Sequence, residues 1–365
     1  MKEFTSYSEE FLDKPLVSVI IPAFNAAADI RQTLGSVVAQ TYRAIEVIVV
    51  DDGSSDATTA IVDEFVTTDS RFQLVRQSNA GVGAARNAAI RKARGKYIAP
   101  LDADDFWFPE KLEKQVACME RSGEETGMVY CWSKLVNEHN EFVGFSPPYR
   151  CEGRLRHALV LANLLGNASV PLFRAAALQR VGLYLTRAEQ GGAEGCEDWD
   201  LALRIAELFN IHVVPEYLAA YRQISSGMSR NAEGMTASFA ITMRRVRQRN
   251  DDLPAATFRW SRGYFYLYLG NKCYEFGDYF QCLRHLKKAI CANPLLLLKT
   301  GIYKTFIKSA FNPIARPTSK GSVGTILHSD GRRTRPFILN GLLLNGPFRR
   351  LERARWSAAL QDGFN

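Results

Sequence analysis

The first absence in this 365-residue chain is a long apolar run. A membrane-spanning helix needs about 18 or more consecutive apolar residues. The nearest stretches, Pro294 to Leu298 and Phe337 to Leu344, fall far short of that. Met1 to Lys14 is polar and has no apolar core, so no secretory signal peptide is expected there. Cys-x-x-Cys pairs are also missing, which removes the usual zinc sites. Seven scattered cysteines, an odd number, do not suggest a disulfide framework, and a reducing cytoplasm is the simplest setting. A complete G-x-G-x-x-G is absent too. Gly81-Val82-Gly83 begins one, but Arg86 stands where the third glycine belongs.

What remains is a globular composition, 47% hydrophobic and 23% charged. The length allows two domains, or one large domain with additions. The net charge of +8 is unevenly placed. Residues 296–365 hold twelve Lys and Arg against three Asp and Glu, so the basic character belongs to the tail. A basic tail with apolar pieces suits an anionic membrane surface or an anionic partner, and equally a solvated extension; no nucleic-acid partner is expected.

Apolar β-rich runs alternate with helical stretches every 25–30 residues or so, the rhythm of βαβ units with a mostly parallel sheet. Leu16 to Ile21, Ile45 to Val50, Phe72 to Val75 and Tyr97 to Leu101 read as the first four strands. Ser54 or Ser55 is expected to cap the helix that runs to about Phe65. Met128 to Val136 and Asn167 to Arg174 read as further strands, and Ala175 to Val181 as a helix. Ile211 to Val214 and Leu218 to Tyr221 read as two closing strands. The glycine-rich loop Thr186 to Gly195 has the character of a mobile lid.

The chain centres on Leu101-Asp102-Ala103-Asp104-Asp105. Alone, this turn reads as a solvated cap for the next helix. But the first strand ends in Phe24-Asn25, the second in Asp51-Asp52, and the fourth in Asp102 to Asp105. In a parallel sheet those ends share one edge, where open α/β sheets bind ligands. Crowded carboxylates there call for a cation, and Mg2+ or Mn2+ takes hard oxygen ligands shared with a phosphate. The turn at Gly81 to Gly83 is expected to bring Arg86 and Asn87 to the same crevice. Glu197-Asp198-Trp199-Asp200 opens a later helix.

From about Pro15 to Ser229 the sequence resembles the family 2 glycosyltransferases of GT-A fold. The resemblance rests on five motifs in order: Val19 to Asn25, Asp51 to Asp56, Asn79-Ala80-Gly81 with Ala85-Arg86-Asn87, Leu101 to Asp105, and Glu197 to Asp200. It implies an α/β mostly parallel sheet flanked by helices, followed by an α-helical C-terminal region. It also implies inverting transfer from a nucleotide-sugar donor, UDP-linked by expectation, to a hydroxyl of a glycan or lipid-linked acceptor. Pro22, Phe24, Asn25, Asp52, Arg86, Asp102 and Ala103 would bind the nucleotide, and Asp104 the Mg2+ or Mn2+. Asp198 would be the catalytic base with Glu197 beside it, the helix start keeping Asp198 ionised. Many relatives carry a His two residues after the Tyr-Arg of the last strand. Ile224 stands there instead, leaving Arg222, Ser226 or Ser229 to contact the diphosphate.

The domain reading is an extension over 1–14, a GT-A domain over 15–229, a helical region over 230–296 and a basic amphipathic tail over 297–365. Tyr266, Leu269, Gly270, Cys273, Gly277, Tyr279, Cys282, Leu286, Ala289 and Pro294 fall at the spacing of a single tetratricopeptide repeat, which equally describes an ordinary helical hairpin. Such a hairpin would offer a protein partner or a second copy a surface. The work would be cell-surface polysaccharide or glycolipid assembly at the cytoplasmic membrane face. The alternatives are a nucleotidyltransferase, whose basic Gly-rich signature after the first strand is absent, and a non-catalytic scaffold of the same fold.

Overall fold

The structure is a computed structural model that describes residues 14–224 and 231–311. The chain divides into two compact units, taken here over the described residues. The first holds residues 14–155, 165–223 and 234–242; the second holds 156–164, 224, 231–233 and 243–311.

A nine-stranded sheet forms the first unit. Strands β1 (Val17–Ala23) and β2 (Ile45–Asp51) are buried at every position, as a central strand covered on both faces must be. β3 (Phe72–Arg76) pairs parallel with β2, and β4 (Tyr97–Pro100) parallel with β1. Beyond β4 the sheet becomes mixed. The order β3-β2-β1-β4-β8-β6-β9-β5 includes β5 (Phe106–Trp107), β6 (Thr126–Asn137), β8 (Leu172–Arg174) and β9 (Asn210–Gln223), with β7 (Phe142–Phe145) as a hairpin on β6. Only the β6–β9 pair is parallel in this half, so the expectation of a mostly parallel sheet holds for the first four strands and not for the rest. The two expected closing strands are one long strand, β9, whose register slips against β6 near Trp132 let the chain pass Pro215 without breaking. The strand expected over Asn167 to Arg174 shrinks to Leu172–Arg174, because Asn167 and Ser169 are drawn into side-chain bonding.

Helices α1 (Ile30–Val38), α2 (Thr58–Thr68), α3 (Val82–Lys92) and α4 (Lys111–Arg121) follow the first strands. α5 (Arg156–Leu161) belongs to the second unit, while α6 (Ala175–Val181) and α7 (Glu197–Leu208) return to the first. Neither Ser54 nor Ser55 caps α2: Ala57 stands at its N-cap without a side-chain bond, and Asp56 just before it accepts from the Thr58 backbone N–H at 3.0 Å through Oδ1. Ser54 and Ser55 instead bond Asn25.

Glu46 is one of several charged side chains inside this core. Glu46 on β2 accepts from Ser18 Oγ (2.6 Å) and from the Arg94 backbone N–H (2.7 Å) and Nε (3.0 Å). Burial pushes its carboxyl up, but those bonds outweigh it and hold it below the ordinary value.

In the second unit α8 (Ala232–Arg249), whose middle turns belong to the first, leads to an antiparallel hairpin of α9 (Ala255–Glu275) and α10 (Tyr279–Ala292). Gly277 makes the turn at φ +78°, and Asp278 caps α10 by accepting from Gln281 N–H. Small residues sit where the helices cross: a Cβ on Gly270 would touch Leu286 at 3.4 Å. Trp260, Cys282, Leu286, Ala289, Leu296 and Ile302 form the core of this unit. A 3-10 turn, Pro294–Leu298, and α11 (Thr300–Phe311) complete the described chain. The basic tail past residue 311 lies outside the described residues.

Candidate functional site

β1, β2 and β4 run parallel, so their carboxyl ends share one edge. β8 opposes β4 and β6 opposes β8, which points the end of β6 the same way. The Asp102–Asp105 turn sits on that edge between β4 and β5. Asp105 is fully buried: its Oδ2 accepts from Ser169 Oγ at 2.5 Å and its Oδ1 from the Arg222 backbone N–H at 2.8 Å. Ser169 Oγ also accepts from the Asp102 N–H at 3.1 Å. The Arg222 guanidinium, itself buried, donates to the Asp104 carbonyl (2.7 Å), the Asn137 carbonyl (3.3 Å) and Gln32 (2.8 Å), and its Nε lies 3.2 Å from Asp29. Thr33 Oγ1 bonds the carbonyls of Ala103 and Asp105. Asp105 is therefore a structural knot, and Asp102 and Asp104 are the carboxylates it holds in place.

A second knot ties this turn to α7. Arg86 on α3 is buried, donating from Nη2 to Asp102 (2.5 Å) and from Nη1 to Glu197 (3.0 Å), with its guanidinium 5.2 Å over the Tyr184 ring. Burial opposes its charge, yet the two carboxylates win and push its pKa up. Its Nε has no hydrogen-bond partner. α3 can start so close because Gly83 has no side chain: a Cβ there would overlap the Leu185 carbonyl. Asn87 bonds both backbone groups of Tyr184. The turn Gly81 to Gly83 thus brings Arg86 to the strand-end turn and Asn87 to the backbone of Tyr184. Glu197 also accepts from the Gly195 N–H (2.9 Å), and Asp200 is buried against Arg204 (2.7 Å).

At the end of β2, Asp52 accepts from Gln77 (2.7 Å) and from the N–H groups of Ala80 and Gly81 (2.8 and 2.9 Å). Pro22 lies within β1. Phe24, at 52% exposure, stands free at its end, and Asn25 takes φ +48° to bond the Ser54–Ser55 turn. The Thr186–Gly195 loop is pinned on the Asn79–Val82 segment: Arg187 donates to Asn79 (2.6 Å) and Glu194 accepts from the Val82 N–H (3.2 Å).

The two part-buried carboxyls carry the electrostatic signature. Burial, then the charge of Glu197, push Asp198 up to about 7, against the lowering effect of Arg86. The lowering expected from the helix start is outweighed by desolvation. Burial and the charges of Asp102 and Asp29 likewise push Asp104 up to about 7. Among the described residues no group of three or more His, Cys, Asp and Glu is placed to hold a metal alone. Asp104, crowded by like charges and with Asp102 beside it, fits the other arrangement, in which one or two carboxylates share the ion with a diphosphate and water. A depression of about 620 Å3 near Arg71, Lys92 and Arg94 lies at the opposite, amino edge of the strands.

Residues 18–165 match the model of glycosyl transferase family 2. The matched stretch takes in every motif up to the strand-end aspartates and stops before α7 and the helical hairpin, so the tetratricopeptide likeness rests on spacing alone. Over 134 residues, 36% of this chain, it is 40% identical to the UDP-Glc:alpha-D-GlcNAc-diphosphoundecaprenol beta-1,3-glucosyltransferase WfgD of Escherichia coli. Over 198 residues, 53% of this chain, it is 29% identical to Escherichia coli chondroitin synthase. The chain covers 51% of the first and 27% of the second, so it spans about half or less of these curated relatives. In fold it is similar to mannosyltransferase PcManGT from Pyrobaculum calidifontis in complex with GDP-Man and Mn2+, at TM-score 0.53 and 20% identity, over 96% of this chain and 87% of that one. The S. aureus TarS 1-349 structure in complex with UDP aligns over 80% and 88%, at TM-score 0.52 and 19% identity. These likenesses establish a GT-A-type α/β fold with C-terminal helices.

The sequence reading missed Ser169 and Tyr184. Nothing near Ser169 signals a site, since its role comes from antiparallel pairing 67 residues after Asp102. Ser226 and Ser229 lie outside the described residues.

Proposed function

We propose that this chain is an inverting, metal-dependent glycosyltransferase that moves a sugar from a UDP-sugar to a hydroxyl of a glycan or lipid-linked acceptor in cell-surface polysaccharide or glycolipid synthesis. The observation that carries this is the Arg86 bridge. One buried cation joins Asp102, at the end of β4, to Glu197, the neighbour of Asp198, whose carboxyl feels the charge of Asp102. A carboxyl near pH 7 is matched to general-base work on an acceptor hydroxyl at neutral pH.

On this reading Phe24 stacks on the base, with Pro22 and Asn25 shaping that end of the pocket. Asp52 offers its remaining lone pair to an imide N–H. Ala103 and Asp102 lie along the ribose. Asp104, with Asp102, would hold Mg2+ or Mn2+, which neutralises charge growing on the departing diphosphate. Arg222 fixes the carbonyl of Asp104 and thereby its side chain. Direct displacement needs no protein nucleophile. Cys196, next to the base, is unsuited to be one, because burial pushes its thiol well above the ordinary value. The names of WfgD, of TarS with UDP and of PcManGT with GDP-Man support a nucleotide-linked donor.

The test is release of nucleoside diphosphate from a panel of UDP-sugars with glycan and lipid-linked acceptors. The wild type is expected to turn over, and Asp198→Asn to fall by at least roughly a hundredfold while still binding UDP. Undiminished turnover in Asp198→Asn would remove the assignment of the base.

A further inference from the structure

The end of the second unit is built inside out. On α11, Ile302, Thr305 and Ser309 face inward, and Ser309 Oγ lies 3.4 Å from Cys282 Sγ on α10. Those positions are three and four apart, one face of a helix. Beside them, outward, stand Tyr303 (47% exposed), Phe306 (49%) and Ile307 (54%). The 3-10 turn before it adds Leu297 and Leu298, exposed beside the buried Leu296. Tyr303 donates its hydroxyl to the Leu297 carbonyl at 2.5 Å, so turn and helix make one continuous surface. Two hydroxyl side chains are thus buried while five large apolar ones face out. A solvated helix has the reverse pattern.

Charge identifies the occupant. From Leu295 to Phe311 the sequence has three lysines, Lys299, Lys304 and Lys308, and no acid. A peptide groove or a self-interface has no need of one sign of charge alone. An apolar strip in a segment whose only charged residues are lysines complements an anionic lipid surface, where apolar side chains enter the acyl boundary and basic residues favour the head groups. No described helix is long and apolar enough to cross a membrane, so the contact is in-plane. We infer that the Leu297–Ile307 face is a docking surface for an anionic bilayer. The inference does not depend on catalysis and is measured without it.

The experiment is flotation of the full chain with phosphatidylglycerol–phosphatidylcholine vesicles and with phosphatidylcholine alone, at low and high salt. Binding is expected to the anionic vesicles and to weaken with salt. The triple variant Tyr303→Ser, Phe306→Ser, Ile307→Ser is expected to lose roughly tenfold or more in affinity with its melting temperature kept, since the side chains are exposed. A separate Phe306→Trp variant reports insertion as a blue shift of its emission with anionic vesicles. Equal vesicle binding by the triple variant overturns the inference. So does a wild-type dimer in sedimentation equilibrium that the triple variant abolishes without change in vesicle binding, because the face would then belong to a second copy.

Discussion

Arg86 Nη1 and Glu197 Oε1 stand 3.0 Å apart although 111 residues separate them in the chain. The other arm of the same guanidinium reaches Asp102 at 2.5 Å. One residue on α3 therefore sets the spacing between the strand-end turn and the start of α7.

Removing it leaves two carboxylates facing each other. Arg86→Ala should cost about 3–5 kcal/mol in urea unfolding, the range for breaking a buried ion pair from one side. Arg86→Lys should recover little, since a single ammonium cannot serve both partners in a fork. A loss under 1 kcal/mol in Arg86→Ala would show that Asp102 and Glu197 do not depend on it.

Ser169→Ala removes the acceptor for the Asp102 N–H and the donor to Asp105. The expected cost is about 1–3 kcal/mol, with weaker UDP binding as the Asp102–Asp105 turn loosens. Unchanged UDP affinity would place Ser169 outside the positioning of the site.

Gly83→Ala puts a methyl against the Leu185 carbonyl. Overpacking here should cost about 1–3 kcal/mol, and it should act through displacement of α3 and of the Asn87–Tyr184 bonds. Amide exchange at Tyr184 is the direct readout; no faster exchange would contradict it.

Those three predictions separate what was legible in the sequence from what was not. The strands β1, β2 and β4 and their acidic ends were legible, because a buried parallel strand writes itself as a continuous apolar run and the chain order fixes the edge on which it ends. Arg86 was found for the same reason, one turn after the glycines. The mixed half was not legible. β8 is three residues long, β5 two, and β9 contains Pro215, so pairing and not local pattern defines them. Ser169 follows from that pairing and had no local mark. The upward shift of Asp198 was not legible because helix position is visible in sequence and burial is not.

Lys111 is fully buried, with its Nζ 3.9 Å from the Trp107 ring centroid and bonded to Gln115 at 2.7 Å. Burial pushes it down to about 8. The unfolded chain binds this proton up to about pH 10.4. Between those values the unfolded state holds more protons, so stability should rise as pH goes from about 8 to 10. Lys111→Met should flatten that rise in urea titrations across the range. A rise preserved in the variant would assign it elsewhere.

Asp198 and Asp104 give the opposite sign. Their folded values, about 7, lie above the unfolded carboxyl range, so their contribution to stability is full in acid and is lost as pH climbs through about 7. Activity should move the other way, with kcat/KM rising through about pH 7 as Asp198 ionises. A rate flat from pH 5 to 8 would contradict the base assignment.

The central claim is that the carboxylates at the end of β4 bind a nucleoside diphosphate through a divalent cation. Calorimetric titration of UDP tests it most directly, run with Mn2+, then with EDTA, then on Asp104→Ala with Mn2+. The account predicts binding in the first case alone. UDP binding that survives EDTA and Asp104→Ala, or no binding of UDP in any of the three, would contradict it.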